Sequence, residues 1–165
     1  MTVLLWVGMG LLCFFGFMAF TGAPYVPSKR REIREAFTTL YSLSDKDVLV
    51  DIGAGDGIVL REASRVGAKA IGFEINPALV VLAKWLSRAD KNVSVRLANF
   101  WHTPLPDDTT VVYVFGDGRD IGNIYRRVQA EASRLERHLM LVSYGFDIKG
   151  VPAAGRYRAY FLYKV

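Results

Sequence analysis

Beyond residue 30 the apolar positions follow two alternating rhythms: short runs of strand length, and longer stretches with apolar residues three or four apart. Ile33, Ala36, Phe37 and Leu40 recur at helical spacing and predict a helix over residues 32–43. Val48–Ile52 reads as the first strand, and Ile58, Val59, Leu60 and Ala63 mark a helix after Gly57. Residues 70–74 form the next apolar run; Asn76-Pro77 then supplies a cap and a first-turn proline for a helix reaching Leu86. Val93–Leu97 alternates as a strand, while Val111–Phe115 is apolar throughout, the pattern of a central strand covered on both faces. Ile121, Ile124, Tyr125, Val128, Ala132 and Leu135 share one face of a helix expected over residues 120–137. Residues 139–143 and a long run over 156–165 complete the strands. Strands alternating with helices imply an α/β fold, a doubly wound, mostly parallel sheet with helices on both faces.

The first residues follow neither rhythm. Nothing from Met1 to Ser28 is charged, and residues 3–20 form an almost unbroken apolar run. As a helix this run is about 27 Å long, close to the roughly 30 Å of a bilayer's hydrocarbon core. Gly8, Gly10 and Gly16 weaken it as a soluble helix and are tolerated in lipid. A signal peptide would carry a basic n-region, here reduced to Met1-Thr2, and Pro24 directly follows the small-residue stretch Thr21-Gly22-Ala23. A buried core helix is the other alternative, though nothing polar marks a solvent face. The expectation is a single transmembrane anchor over residues 1–23 and one domain over 24–165, enough chain for a single core and too little for two.

Charge sets the orientation. Lys29, Arg30, Arg31 and Arg34 follow the span and no basic residue precedes it, which predicts a domain on the cytoplasmic side, or the matrix side of an organelle. The same cations suit anionic lipid headgroups. With no Arg-rich presequence, a prokaryotic membrane is the expectation. The net charge of +5 forms no basic stripe interleaved with aromatics, so nucleic acid is not an expected partner. Cys13 is the only cysteine, which excludes an intramolecular disulfide, and no His/Asp/Glu spacing suggests a metal.

In an open parallel sheet a ligand lies across the carboxyl ends of the strands. Those ends hold Asp51-Ile52-Gly53-Ala54-Gly55-Asp56-Gly57, then Glu74-Ile75, then Asn99-Phe100-Trp101, then Phe115-Gly116. A dinucleotide fingerprint wants a third glycine where Ile58 stands. Asp51 is also unneeded for a pyrophosphate and would repel it. An anion there suits a ligand with a cationic amino-acid end, such as S-adenosylmethionine with its ammonium and sulfonium. Gly53 and Gly55 would let the backbone approach that ligand, with Asp51 and Asp56 shaping the loop or meeting the amino-acid end. Glu74 would accept both ribose hydroxyls. Asn99 would read the adenine edge, and Phe100 or Ile75 would pack on the ring.

The order of these motifs, together with Ala23-Pro24-Tyr25-Val26-Pro27-Ser28 directly after the span, Asn76-Pro77 with Leu79-Val80, Val114-Phe115-Gly116 and the ending Tyr160-Phe161-Leu162-Tyr163, is similar to a known family. The chain resembles the small membrane-anchored class I methyltransferases whose eukaryotic members methylate lysine at the mitochondrial inner membrane. The resemblance implies S-adenosylmethionine as cofactor and a membrane-associated protein as substrate. It also implies that Tyr25 and Ser28 close over the cofactor's methionine end. Two departures stand out: Asn99 occupies a position usually held by Asp, and Ser143-Tyr144-Gly145-Phe146 replaces a Phe-Pro-rich turn. The usual sheet has two strands where this chain has its last twenty residues, so one is expected to be missing or vestigial.

Methyl transfer to an amine needs alignment and a neutral lysine more than acid–base side chains. An aromatic channel supplies both, since desolvation lowers a lysine pKa. Tyr25, Trp101, Phe115 and Tyr144 are the candidate walls. His102 and His138 read as a solvated loop residue and a structural one. Competing functions are a lipid or quinone headgroup methyltransferase and a non-catalytic scaffold of a membrane complex. An NAD(P) oxidoreductase is disfavoured by Ile58.

Overall fold

The computed structural model describes residues 5, 6, 8–10, 29–116 and 118–165. Among the described residues no helix is long and apolar enough to cross a membrane. The anchor expected over residues 1–23 lies almost wholly outside them, as do Tyr25 and Ser28.

The alternating rhythms become alternating elements. Helix α1 (Arg30–Thr39) precedes β1 (Val48–Ile52), α2 (Ile58–Ser64), β2 (Lys69–Glu74), α3 (Pro77–Leu86) and β3 (Val93–Leu97). Then come β4 (Val111–Phe115), α4 (Ile121–Arg134), β5 (Met140–Tyr144), β6 (Gly155–Tyr157) and β7 (Tyr160–Lys164). The strands form one sheet in the order β3-β2-β1-β4-β5-β7-β6. β1 to β5 pair in parallel, and β7 runs antiparallel to both β5 and β6. The period of two along β1 divides the core: Leu49 packs with α1, α2 and α3 on one face, through Phe37, Leu60 and Ala83. Val50 packs with α4 on the other, through Ile124 and Val128.

Buried acids fix the helices to their neighbours. Glu62 of α2 is buried and pairs with Arg34 of α1. Glu131 of α4 is also buried; it accepts the Leu105 N–H at 3.0 Å and pairs with Arg127 and Arg134, both at 2.9 Å. Each carboxylate is thus hydrogen-bonded as well as charge-paired, which burial requires.

Element ends differ from the sequence expectation for local reasons. The helix expected over 120–137 stops at Arg134, where Glu136 turns left-handed (φ 52°) and the Arg137 N–H returns to the Ala132 carbonyl at 3.2 Å. The helix expected over 32–43 starts at Arg30 and ends at Thr39, because the Leu43 N–H folds back onto the Phe37 carbonyl at 3.0 Å. The run over 156–165 is not one long strand. Arg158 (φ 52°) turns it into the β6–β7 hairpin, so the sheet keeps seven strands and its vestigial one is the three-residue β6.

Candidate cofactor site

The chain winds from β1 through β2 to β3 in one direction, then crosses back to β4 on the other side of β1. The carboxyl end of β1 is therefore the point where the winding reverses, and a crevice opens there. The β1–α2 loop bends over it. The N–H groups of Gly53 and Ala54 both donate to the Phe73 carbonyl, at 2.9 and 3.1 Å, and the Gly57 N–H donates to the Ala54 carbonyl at 2.8 Å. Gly53, Gly55 and Gly57 have φ of 75°, 55° and 77°, a region glycine enters without strain. A Cβ at Gly53 would meet nothing within 4 Å, so the space above the loop is open to a ligand approaching the backbone.

Gly72 on β2 supplies what the missing third glycine would. A Cβ there would stand 2.7 Å from both Ala54 Cβ and Leu60 Cδ1, so only glycine lets α2 and the loop lie this close to the sheet. Sequence reasoning assigned Gly72 no such role. The available signal was a glycine in the middle of a strand pattern, which marks a close backbone approach.

Glu74 ends β2, buried, with both oxygens fixed by backbone: Oε2 accepts the Gly55 N–H and Oε1 the Asn76 N–H, each at 2.8 Å. One carboxylate thus ties the glycine loop to the start of α3. A carboxylate has about four acceptor directions, so this anchoring leaves lone pairs for ribose hydroxyls. Asn76 caps α3 as its sequence predicts, its Oδ1 accepting from the Ala78 and Leu79 N–H groups at 3.0 and 3.4 Å, with Pro77 in the first turn.

Asp51 is buried within β1, and the carboxyl is held well above the usual aspartate range. Burial is the main cause, followed by the Glu74 and Asp56 carboxylates. Asp56 is committed to the turn: its Oδ1 accepts the Ile58 N–H at 3.0 Å and its Oδ2 pairs with Arg61 at 3.2 Å, while Arg61 Nη1 donates to its carbonyl at 2.5 Å. Arg61 was not foreseen, and its spacing from Asp56 was the only signal. An acid cluster around a glycine loop repels a pyrophosphate and attracts an ammonium and a sulfonium. The residues present therefore fit S-adenosylmethionine.

The adenine end is more open. Asn99 follows β3, and its Oδ1 accepts the Trp101 N–H at 3.0 Å, which shapes the loop. Phe100 is buried in the core beneath, whereas Ile75 is 52% exposed at the strand ends. Across β1, Phe115 packs edge-on against Tyr144 at 5.0 Å, and Tyr144 against Tyr160 at 4.6 Å. Phe115, Trp101 and Phe146 remain partly exposed. Tyr25 and Ser28 lie outside the described residues. His102 and His138 are exposed, and His102 donates its backbone N–H to the Asn99 carbonyl at 3.0 Å.

Comparison with known proteins agrees with this geometry. Residues 50–117 match the methyltransferase domain family. The chain is 27% identical over 111 residues to the lysine N-methyltransferase of the ATP synthase C-subunit from Xenopus laevis, covering 66% of this chain and 48% of that protein. It is 30% identical over 74 residues to the demethylmenaquinone methyltransferase of Tropheryma whipplei, covering 45% of this chain and 30% of that one. The chain thus spans about half the length, or less, of the curated relatives it matches. An RNA methyltransferase from Salinibacter ruber, solved in complex with S-adenosyl-L-homocysteine, superposes with a TM-score of 0.69 at 22% identity, covering 84% of this chain and 92% of that one; it shares the fold. Loop, acids and matches converge: residues 50–117 match a methyltransferase domain whose cofactor is S-adenosylmethionine, and the chain resembles the lysine N-methyltransferases of the ATP synthase C-subunit.

Proposed function

We propose that this protein methylates lysine side chains of a membrane-embedded protein, held at the membrane by residues 1–23 with its domain on the cytoplasmic or matrix side. The observation that carries the lysine assignment is the aromatic wall opposite Glu74. Phe115 and Tyr144 line the carboxyl ends of β4 and β5, Phe146 is partly exposed after β5, and Trp101 is partly exposed after β3. When bound, S-adenosylmethionine supplies a methyl group already activated by its sulfonium. Glu74 and the glycine loop fix the cofactor's position. The aromatic wall excludes water, which favours the neutral amine and aligns its lone pair with the methyl carbon. The relatives named for methylating lysine in the ATP synthase C-subunit support this reading.

A second reading rests on the match to a demethylmenaquinone methyltransferase: a quinone headgroup as the acceptor. One experiment separates them. The full chain is incubated with radiolabelled-methyl S-adenosylmethionine and with membranes of its source, and label is followed into protein and into solvent-extractable lipid. Label on a lysine of a small membrane protein, weakened in Phe115→Ala, is the expected result. Label in the quinone fraction would replace the lysine reading, and label in neither would leave a cofactor-binding scaffold.

A further inference from the structure

Helix α3 has two apolar stripes. Val80 and Ala83 face inward against the sheet. Val81, Leu82 and Trp85 repeat at helical spacing on the outside, 67%, 40% and 60% exposed. A surface helix of a globular domain is normally polar on its outer face. The apolar surface continues onto the neighbouring edge strand: Val95 of β3 is buried in the core beneath α3, and Leu97, two residues on and so on the same face, is 61% exposed. Contiguous exposed surface of this kind marks an interaction site.

The charge around it is one-sided. Lys84 and Arg88 lie on the helix and just after it, and the Arg88 guanidinium stacks 5.0 Å from the Trp85 ring. Below them Leu86 opens into a cleft of about 450 Å³ between the ends of α2 and α3, lined also by Arg65, Lys91 and Asn92. The acid in that cleft, Asp90, accepts bonds from the Ser64 hydroxyl at 2.7 Å and the Asn92 N–H at 3.1 Å. It is therefore turned into the fold. Aliphatic side chains and a tryptophan flanked by lysine and arginine, beside a cationic cleft of headgroup size, match the two components of a lipid surface.

We propose that α3 and the adjoining edge of β3 form an interfacial docking surface for an anionic lipid bilayer. Val81, Leu82, Trp85 and Leu97 enter the acyl boundary, and Arg65, Lys84, Arg88 and Lys91 engage headgroup phosphates. The surface is separate from the cofactor loop. It needs neither methyl transfer nor an anchor to be true, and it would set which way the strand ends face along the membrane. Nucleic acid fits less well, since Val81, Leu82 and Leu97 offer a phosphate backbone nothing.

The test uses the full chain with Cys13→Ser and an environment-sensitive fluorophore on Leu82→Cys. A second protein carries the label on Gln129→Cys, exposed on α4 across the sheet. Both are reconstituted into vesicles of phosphatidylcholine with or without phosphatidylglycerol. The expected result is a severalfold rise and blue shift at position 82 in anionic vesicles, none at position 129. Lys84→Glu with Arg88→Glu should abolish the rise. An equal response at both positions, or an equal response without phosphatidylglycerol, overturns the proposal. So does a rise at position 82 in detergent that grows with protein concentration, which would assign the surface to a second copy of the chain.

Discussion

The two sides of the crossover at β1 are built by different means. On the β2 side the site is a lattice of backbone hydrogen bonds closed by carboxylates: Glu74 holds two amides, Asp56 holds a helix start, and Gly72 admits a contact no other residue allows. On the β4–β5 side it is a surface of rings, Phe115 on Tyr144 on Tyr160, held by packing. Hydrogen bonds and positive φ angles dictate residue type at fixed positions. Ring packing dictates only volume and polarity, so it tolerates change. A cofactor common to many reactions suits the first construction, and a substrate particular to one enzyme suits the second.

The comparison is most exposed to Glu74→Ala. The substitution removes the acceptor for the Gly55 and Asn76 amides and, on the proposed reading, the ribose contact. We expect S-adenosylmethionine affinity to fall by about 3 kcal/mol, roughly a hundredfold. Because two buried amides lose their partner, the unliganded domain should also lose about 1–3 kcal/mol of stability. Calorimetric titration and urea unfolding measure the two separately. A loss of affinity no larger than that of Phe115→Ala would break the distinction between frame and wall.

Gly72→Ala probes the frame without touching an acid. Its Cβ would press on Ala54 and Leu60 at 2.7 Å, and we expect a destabilisation of about 1–3 kcal/mol. Gly122, inside α4, is the counterpart: a Cβ there meets nothing within 4 Å. Gly122→Ala should stabilise by about 0.5–1 kcal/mol. Both are read from the urea midpoint at constant slope. In the wall, Phe115→Ala should raise KM for the proposed methyl acceptor about tenfold, near 1.4 kcal/mol, with S-adenosylmethionine affinity unchanged.

The same division explains what could be read from the chain alone. β1, β3 and β4 agree with their predicted limits, because a buried strand needs an uninterrupted apolar run or a strict alternation. Asn76-Pro77 announces its helix because a cap is a local device. The acids at the strand ends are legible from position alone. Gly72's contact and the engagement of both Glu74 oxygens are not, since each depends on where two distant segments meet. Nor is the break at Arg158 visible, because an arginine at φ 52° carries no turn signature. The exposed stripe of α3 stands in plain view in the sequence, but periodicity finds an apolar face without saying what covers it.

Asp51 gives the sharpest sign. Burial, with Glu74 and Asp56 beside it, holds its carboxyl well above the ordinary aspartate value in the folded protein. The folded state therefore binds its proton more tightly than the unfolded chain. The stability this confers is full below the ordinary value and is lost as pH rises through the raised one. An ammonium placed near Asp51 reverses the preference and favours the ionised form. Binding of S-adenosylmethionine should then release a proton, and affinity should climb with pH across that window, by at most about tenfold per unit for one titrating group. In Asp51→Asn both effects should vanish: lower affinity, flat with pH, and no buffer-dependent heat of proton release on titration. Parallel pH profiles for the two proteins would remove Asp51 from the amino-acid end of the cofactor and leave it a strut of the loop. Its burial would then belong to the frame alone, and the charge complementarity that distinguishes this loop from a dinucleotide site would rest on Glu74 and Asp56.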